Sequence, residues 1–226
     1  GIIGGIGLGM AMITFIWSIT HTTAAVTLLM LAAMPFITAI LGFIFIKEKI
    51  STNTWVSIVI ASTGIIVMAT NSVKIGSLLG LLFGLVSALG FSIFSVSLRW
   101  KRETPKFTTV AIAGLFCAAI SAIILFKTES NFLSSSKNEI LFSLHGAIVC
   151  IGLIFYSIGS KHLQAAELTL LSLTEIAGGI FWVWLPIFGI NEALSTNTII
   201  GGFLIFFAII YYSLLTQRNR RFIALN

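Results

Sequence analysis

Eight apolar segments follow one another along the 226-residue chain, approximately at 2–20, 24–46, 54–72, 77–98, 107–127, 140–160, 165–188 and 198–216, with short polar breaks between them. Runs of this length match the roughly 20 residues that an α-helix needs to cross hydrocarbon. Most are apolar all round, with no polar face to turn toward water. Only 9% of the residues are charged, whereas soluble domains average about 25% and use them to cover their surface. Length alone would allow one or two globular domains. The apolar runs override that prior and specify an all-α, polytopic transmembrane helical bundle, because hydrocarbon forces each segment to satisfy its own backbone. The longest break, Lys127 to Glu139, is a serine-rich loop, and no linker is long enough to hold a separate domain.

The net charge of +6 comes from 13 basic and 7 acidic residues. In a soluble chain it would point toward nucleic acid; here it orients the spans. With Lys47 and Lys49 inside, alternation across eight spans also puts Arg99, Lys101, Arg102, Lys106, Lys161, Arg218, Arg220 and Arg221 inside. Only Lys74, Lys127 and Lys137 then fall outside. This is the positive-inside bias. It predicts a chain integral to the cytoplasmic (plasma or inner) membrane, with the C-terminus in the cytoplasm. No nucleic-acid partner is expected. Cys117 and Cys150 both lie in apolar runs and read as small buried hydrophobes. No Cys/His cluster suggests a metal, and no cofactor motif is present.

The phrase KEKISTNT at 47–54 returns as NEALSTNT at 191–198. At an offset of 141 residues His21 meets His162, Ala24 and Ala25 meet Ala165 and Ala166, Gly5 meets Gly146, and Leu29 meets Leu170. At an offset of 144, Glu48 meets Glu192 and Ser51–Thr54 meet Ser195–Thr198. Three extra residues in the second copy, near Pro186–Phe188, account for the change of offset. Alternation puts the first phrase inside and the second outside, so the copies run in opposite senses. Inverted repeats of this kind recur in secondary transporters. Inversion needs an odd number of helices per unit. The second unit has five and the first shows three, so two further helices are expected ahead of Gly1. The predicted organisation is residues 1–73 as the last three helices of a first repeat, 74–217 as a complete second repeat, and 218–226 as a basic cytoplasmic tail. No basic leader or cleavage site marks the start as a secretory signal.

The stretch from Ala24 through Pro35 to Glu48, with Trp55 and Gly64, resembles the drug/metabolite transporter superfamily in its branch with two EamA-type domains. So does the second-half stretch LTEIAGGIFWVWL at 173–185, with Glu192, Gly201 and Gly202. The likeness runs along essentially the whole chain. It implies ten helices with both termini cytoplasmic, and transport or efflux of small metabolites. Two departures stand out: the first two helices are absent, and Pro186–Phe188 lengthen the outer end of the seventh span.

Ionisable groups in hydrocarbon are costly and are functional candidates by default. Glu175 lies about ten residues into its span, near 15 Å depth at about 1.5 Å per residue, which is the bilayer midplane. Helical spacing places Ser172, Gly178, Gly179 and Trp182 on its face. A protonatable carboxylate beside a glycine gap and an indole suits uptake of a proton or of a substrate ammonium. The structural alternative is a protonated Glu175 hydrogen-bonded to a neighbouring helix. His145 shares a helical face with Val149, Gly152 and Tyr156; it can relay protons or bind substrate, or serve as a packing group near the interface. His21 and His162 flank helix ends and suit interfacial anchoring. Glu167 suits the N-terminal turn of its helix.

Glu48 and Glu192 close a helix ahead of STNT, whose side-chain oxygens suit a helix entry, so both loops read as structural hinges. Pro35, opposite Ile176 in the repeat, breaks or kinks a helix at membrane depth. Glycines 1, 5 and 9, and 80 and 84, have the small-xxx-small spacing that lets helices approach closely.

The first functional class is a secondary transporter of small metabolites, such as amino acids or amines, working by alternating access with proton coupling as an option. The second is a non-transporting scaffold or a channel. The third is an intramembrane enzyme, disfavoured because the chain has no aspartate, no HExxH and no GxSxG. The expected partners are the bilayer, a small-molecule substrate and, for assembly, a second copy of the chain. The topology makes one prediction: Lys101 will react with an impermeant amine reagent only from the cytoplasmic side, and labelling from outside would overturn both the orientation and the inverted repeat.

Overall fold

The computed structural model describes residues 1–22, 27, 30–31, 33–69, 78–100, 106–128, 136–175, 178 and 196–224. Eight helices are defined among them: α1 Ile2–His21, α2 Met34–Ile46, α3 Thr52–Ala69, α4 Leu78–Trp100, α5 Lys106–Thr128, α6 Ser136–Gly159, α7 Ala165–Ser172 and α8 Thr196–Ala224. Four contain stretches long and apolar enough to cross a membrane: Ile2–His21, Leu78–Trp100, Lys106–Thr128 and Asn138–Gly159. The chain is an all-α polytopic bundle and an integral membrane protein.

Helix α4 occupies the middle, packed against α1, α2 and α7, while α3 pairs with α8 and α5 lies on α1. The buried side chains are mostly small: Ala39, Ala61, Ala88, Ala113, Ala166 and Ala208 are almost fully enclosed. Many large ones, such as Leu115, Phe126, Phe155 and Phe203, point outward, although Phe94, Leu98 and Leu170 are buried. This is the arrangement lipid favours, because hiding apolar surface gains little there and close contact at small residues gains more. The α1–α4 crossing is an instance: a Cβ on Gly7 would lie 2.9 Å from the carbonyl oxygen of Gly90. At the α3–α8 contact a Cβ on Gly64 would lie 2.6 Å from the carbonyl oxygen of Gly201.

Both copies of STNT open a helix at the same residue, Thr52 in α3 and Thr196 in α8. In the first copy the Thr54 amide donates to Ser51 Oγ at 3.2 Å, the expected cap. The repeat-related glycines differ in surroundings. A Cβ on Gly5 would strike Ile112 of α5 at 2.5 Å, whereas the position beside Gly146 on α6 is open to 4 Å. The α1 face covered by α4 and α5 therefore has an uncovered counterpart on α6, among the described residues.

Three boundaries differ from the sequence expectation. The 24–46 span is not one helix. Ala33 donates back three residues to the Met30 carbonyl at 3.1 Å, and α2 starts afresh with Pro35 in its first turn. Proline lacks the amide a continuous helix needs there, and its ring crowds the carbonyl four residues earlier. The 165–188 span is also interrupted: α7 stops at Ser172, and the Leu173 amide donates to Leu170 at 3.2 Å. No proline stands at that point. Finally, α8 continues to Ala224, so helix extends into the basic segment after residue 217, which holds no glycine or proline to end it. Residues 186–188 and Glu192 lie outside the described residues.

If close approach holds the bundle, Gly64→Leu will lower thermal stability by roughly 1–3 kcal/mol through overpacking. Gly114→Leu, at a position with open space beside it, will leave the melting temperature unchanged. Equal effects in thermal unfolding assays of the two purified variants would refute this account.

Candidate functional site

Among the described residues, polar side chains form two linked features: a seam along α4 and a cluster where several helix ends meet. The seam runs along one buried region of α4. Ser87 Oγ donates to the Ala11 carbonyl of α1 at 2.8 Å. Ser92 Oγ reaches the Met34 carbonyl at 3.2 Å, at the start of α2. Ser95 Oγ lies 2.7 Å from the Tyr156 hydroxyl of α6. Each hydroxyl thus ties α4 to a different helix. Tyr156 also sits against Phe91, with centroids 5.1 Å apart and edge-on, and stacks on Phe94 at 5.8 Å.

At the end of the seam Arg99 meets Glu48. The α2 helix closes with Lys47 in the left-handed region, φ 57° and ψ 27°. The Glu48 amide donates back to the Gly42 carbonyl at 3.2 Å. This cap normally uses glycine, and a lysine there costs about 1–2 kcal/mol. The turn brings the Glu48 carboxylate into the bundle. Its Oε1 accepts from Arg99 Nη2 at 2.7 Å and from Arg99 Nε at 2.8 Å. Its Oε2 accepts from the Ala165 amide at 3.1 Å, the first residue of α7, where a negative charge complements the helix dipole. Arg99 Nη1 in turn donates to the Ser160 carbonyl at 3.0 Å. The Glu48–Arg99 pair therefore joins the ends of α2, α4 and α7 and the turn after α6. Gln164 and Glu167 complete the α7 entry as a capping box, and the Gln164 amide donates to Glu167 Oε2 at 3.0 Å.

Beside this cluster opens a cavity of about 1010 Å³, whose basic wall is Lys47, Arg99, Lys106 and Lys161. All four fall on one side in the charge-alternation topology, and the fold gathers them at one end of the bundle. His21 marks the opposite end, stacked on Trp17 at 5.7 Å, with Nδ1 2.7 Å from the Trp17 carbonyl.

The residues singled out in the sequence divide sharply. Glu175 stands just beyond the α7 interruption and is exposed. Ser172 Oγ donates to the Thr169 carbonyl at 2.8 Å, so its proton is used locally. Gly178 has open space where a Cβ would stand. Gly179, Trp182 and Glu192 lie outside the described residues. His145 is exposed on α6 and is not brought to Tyr156, which faces α4 three turns further on. Pro35 is buried in the first turn of α2. Arg99 entered the sequence reading only as an inside charge, and the α4 serines went unremarked. The signal was present as SxxxxSxxSxxxR from Ser87 to Arg99 inside an apolar span, but nothing in that pattern names the partners.

Residues 1–70 match the EamA-like transporter family. Proteins from two strains of Helicobacter pylori, each named an uncharacterized transporter, are 24% identical over 180 residues, covering 77% of this chain. The chain spans 60% of the length of these relatives. A Clostridium kluyveri protein of the same name is 26% identical over 220 residues, covering 92% of this chain and 69% of its own length. A solved crystal structure at 20% sequence identity has a TM-score of 0.75, covering 94% of this chain and 77% of the other. It shares the fold.

The Glu48–Arg99 pair is partly shielded, with side chains 13% and 26% exposed respectively. Glu48→Gln is expected to destabilise by about 1–3 kcal/mol, because it weakens a charge-assisted bond and leaves Arg99 without its counter-charge. Adding Arg99→Met should recover part of that loss. Additive effects in a double-mutant cycle would show that the pair is not coupled.

Proposed function

We propose that this chain, an EamA-type member of the drug/metabolite transporter superfamily, serves as a secondary transporter that exports small metabolites by alternating access. Amino acids, amines and related compounds are the substrate class that a mainly apolar, sparsely charged interior suits. The observation that carries the proposal is the paired helix interruption. At the 141-residue offset Ala33 maps onto Thr174, one residue past the Leu173 turn. In the inverted-repeat reading, both units break a membrane helix at matching places. Broken helices facing each other across a repeat expose backbone groups to a cavity, as transporters do at a central site.

In this mechanism the two units rock against each other. Glu48 belongs to the first unit, and Arg99 and Ala165 belong to the second. The carboxylate acts as a latch that holds the cytoplasmic ends together and must release for cytoplasmic opening. The uncovered α6 face fits helices of a first unit packed as α4 and α5 pack on α1. Glu175, just past the second interruption, is the group to take up a proton or a substrate ammonium, with Gly178, Gly179 and Trp182 the further candidates that helical spacing assigns to its face. The orientation follows the basic residues: helix ends near Lys47, Arg99 and Lys161 cytoplasmic, in the inner or plasma membrane.

The test is flux in proteoliposomes carrying an internal pH dye, challenged with a panel of amino acids and amines. Saturable, pH-dependent flux is expected from the native protein, and Glu175→Gln should abolish it without altering thermal stability. Unsaturable flux would favour a channel, and undiminished pH-dependent flux in the variant would remove Glu175 from the mechanism.

A further inference from the structure

We infer that the basic cavity at the Lys47–Lys161 end of the bundle is a binding site for a phosphate-bearing anion. Lys106 carries the inference. Its side chain stands at the first residue of α5, is only 8% exposed, and lines the cavity. Its ammonium donates to the Leu98 carbonyl at 2.8 Å and to Ser160 Oγ at 3.0 Å. Both acceptors are neutral. Arg99 and Lys161 add like charge beside it, and the N-terminal turn of α5 holds no acidic residue. A buried ammonium is stable when a counter-charge compensates it, and a cation at a helix N-terminus meets the positive end of the dipole.

The carboxylate on this cavity wall does not supply that charge. Glu48 already accepts from Arg99 and from the Ala165 amide. Among the described residues lining the cavity, Lys47, Arg99, Lys106 and Lys161 therefore face a single committed acid. The Lys47 ammonium sits 6.0 Å from the Phe43 ring centroid, a contact that leaves its charge uncancelled. Among the described residues the excess is positive and is gathered around an open volume of about 1010 Å³, room enough for a phosphate group and its water.

The other wall is apolar. Phe45 and Trp100 contact each other with centroids 5.8 Å apart, and both are half exposed. A basic pocket between helix ends with an aromatic flank at membrane level has the character of a headgroup site. A phospholipid monoester would set its phosphate among the lysines and its chains along these rings. A soluble phosphate would use the lysines alone. The ligand chemistry is the same, and the source is what the experiment separates.

The purified protein in neutral detergent is titrated by calorimetry with dioctanoyl phosphatidic acid, dioctanoyl phosphatidylcholine and inorganic phosphate. Saturable binding of phosphatidic acid, with none of phosphatidylcholine, is expected. Inorganic phosphate binding as well would show that the free anion suffices, and its absence would assign the lipid as the source. Lys161→Ala, at an exposed position, should weaken binding roughly fivefold, the worth of one basic residue near a charged surface. Lys106→Met should weaken it at least as much, in protein whose folding is verified by its melting temperature. If Lys106→Met does not fold, the Lys161 variant decides. Unchanged affinity in the folded variants, equal binding of phosphatidylcholine, or no binding of either phosphate probe would overturn the site.

Discussion

Hydrocarbon offers a helix little reward for hiding its apolar surface and no partner for its polar groups, so a bundle in it depends on close contact and internal hydrogen bonding. Helix α4 supplies both. Gly90 lets α1 approach until backbone nearly meets backbone. Ser87, Ser92 and Ser95 then bridge to α1, α2 and α6. Without the small residues the hydroxyls would not reach, and without the hydroxyls the contacts would be dispersion alone. The pair α3–α8 uses the same device at Gly64 and Gly201.

Charge is handled differently, by placing it at helix ends. Glu48 is turned inward by a left-handed lysine that a more relaxed sequence would replace with glycine. The strain is offset by three hydrogen bonds to one carboxylate, one of them at the N-terminus of α7. The same arrangement ties the end of α2 to the ends of α4 and α7. It leaves Lys106 enclosed beside neutral acceptors, so the cluster that joins these helix ends also forms the wall of an electropositive cavity. Joining the helices and attracting an anion are two consequences of crowding helix ends together.

Much of the candidate site was hidden from a linear reading for a geometric reason. Glu175 is conspicuous because an acid within an apolar run is rare, and rarity is a property of sequence. Glu48 looked like part of a hinge because its neighbours are ordinary loop residues. Only the turn at Lys47 aims it at Arg99, 51 positions away. His145 and Tyr156 share a helix, yet one is exposed and the other packs on Phe91 and Phe94, since helical periodicity says which residues share a face but not what covers it. Pro35 announced its interruption. The break at Leu173 had no proline to announce it and was hinted at only by the repeat.

The amino-acid sequence by itself determined that this is an all-α membrane bundle, where most spans lie, and that two stretches echo each other. Those properties follow from local quantities: hydropathy over about 20 residues, the alternation of basic loops, and identities at a constant offset. Tertiary structure decided which helices touch, where two spans are interrupted, and which of the cations share a cavity. Those depend on contacts between residues far apart in the chain, and such contacts are set by the joint packing of many small side chains, which no single window of sequence contains.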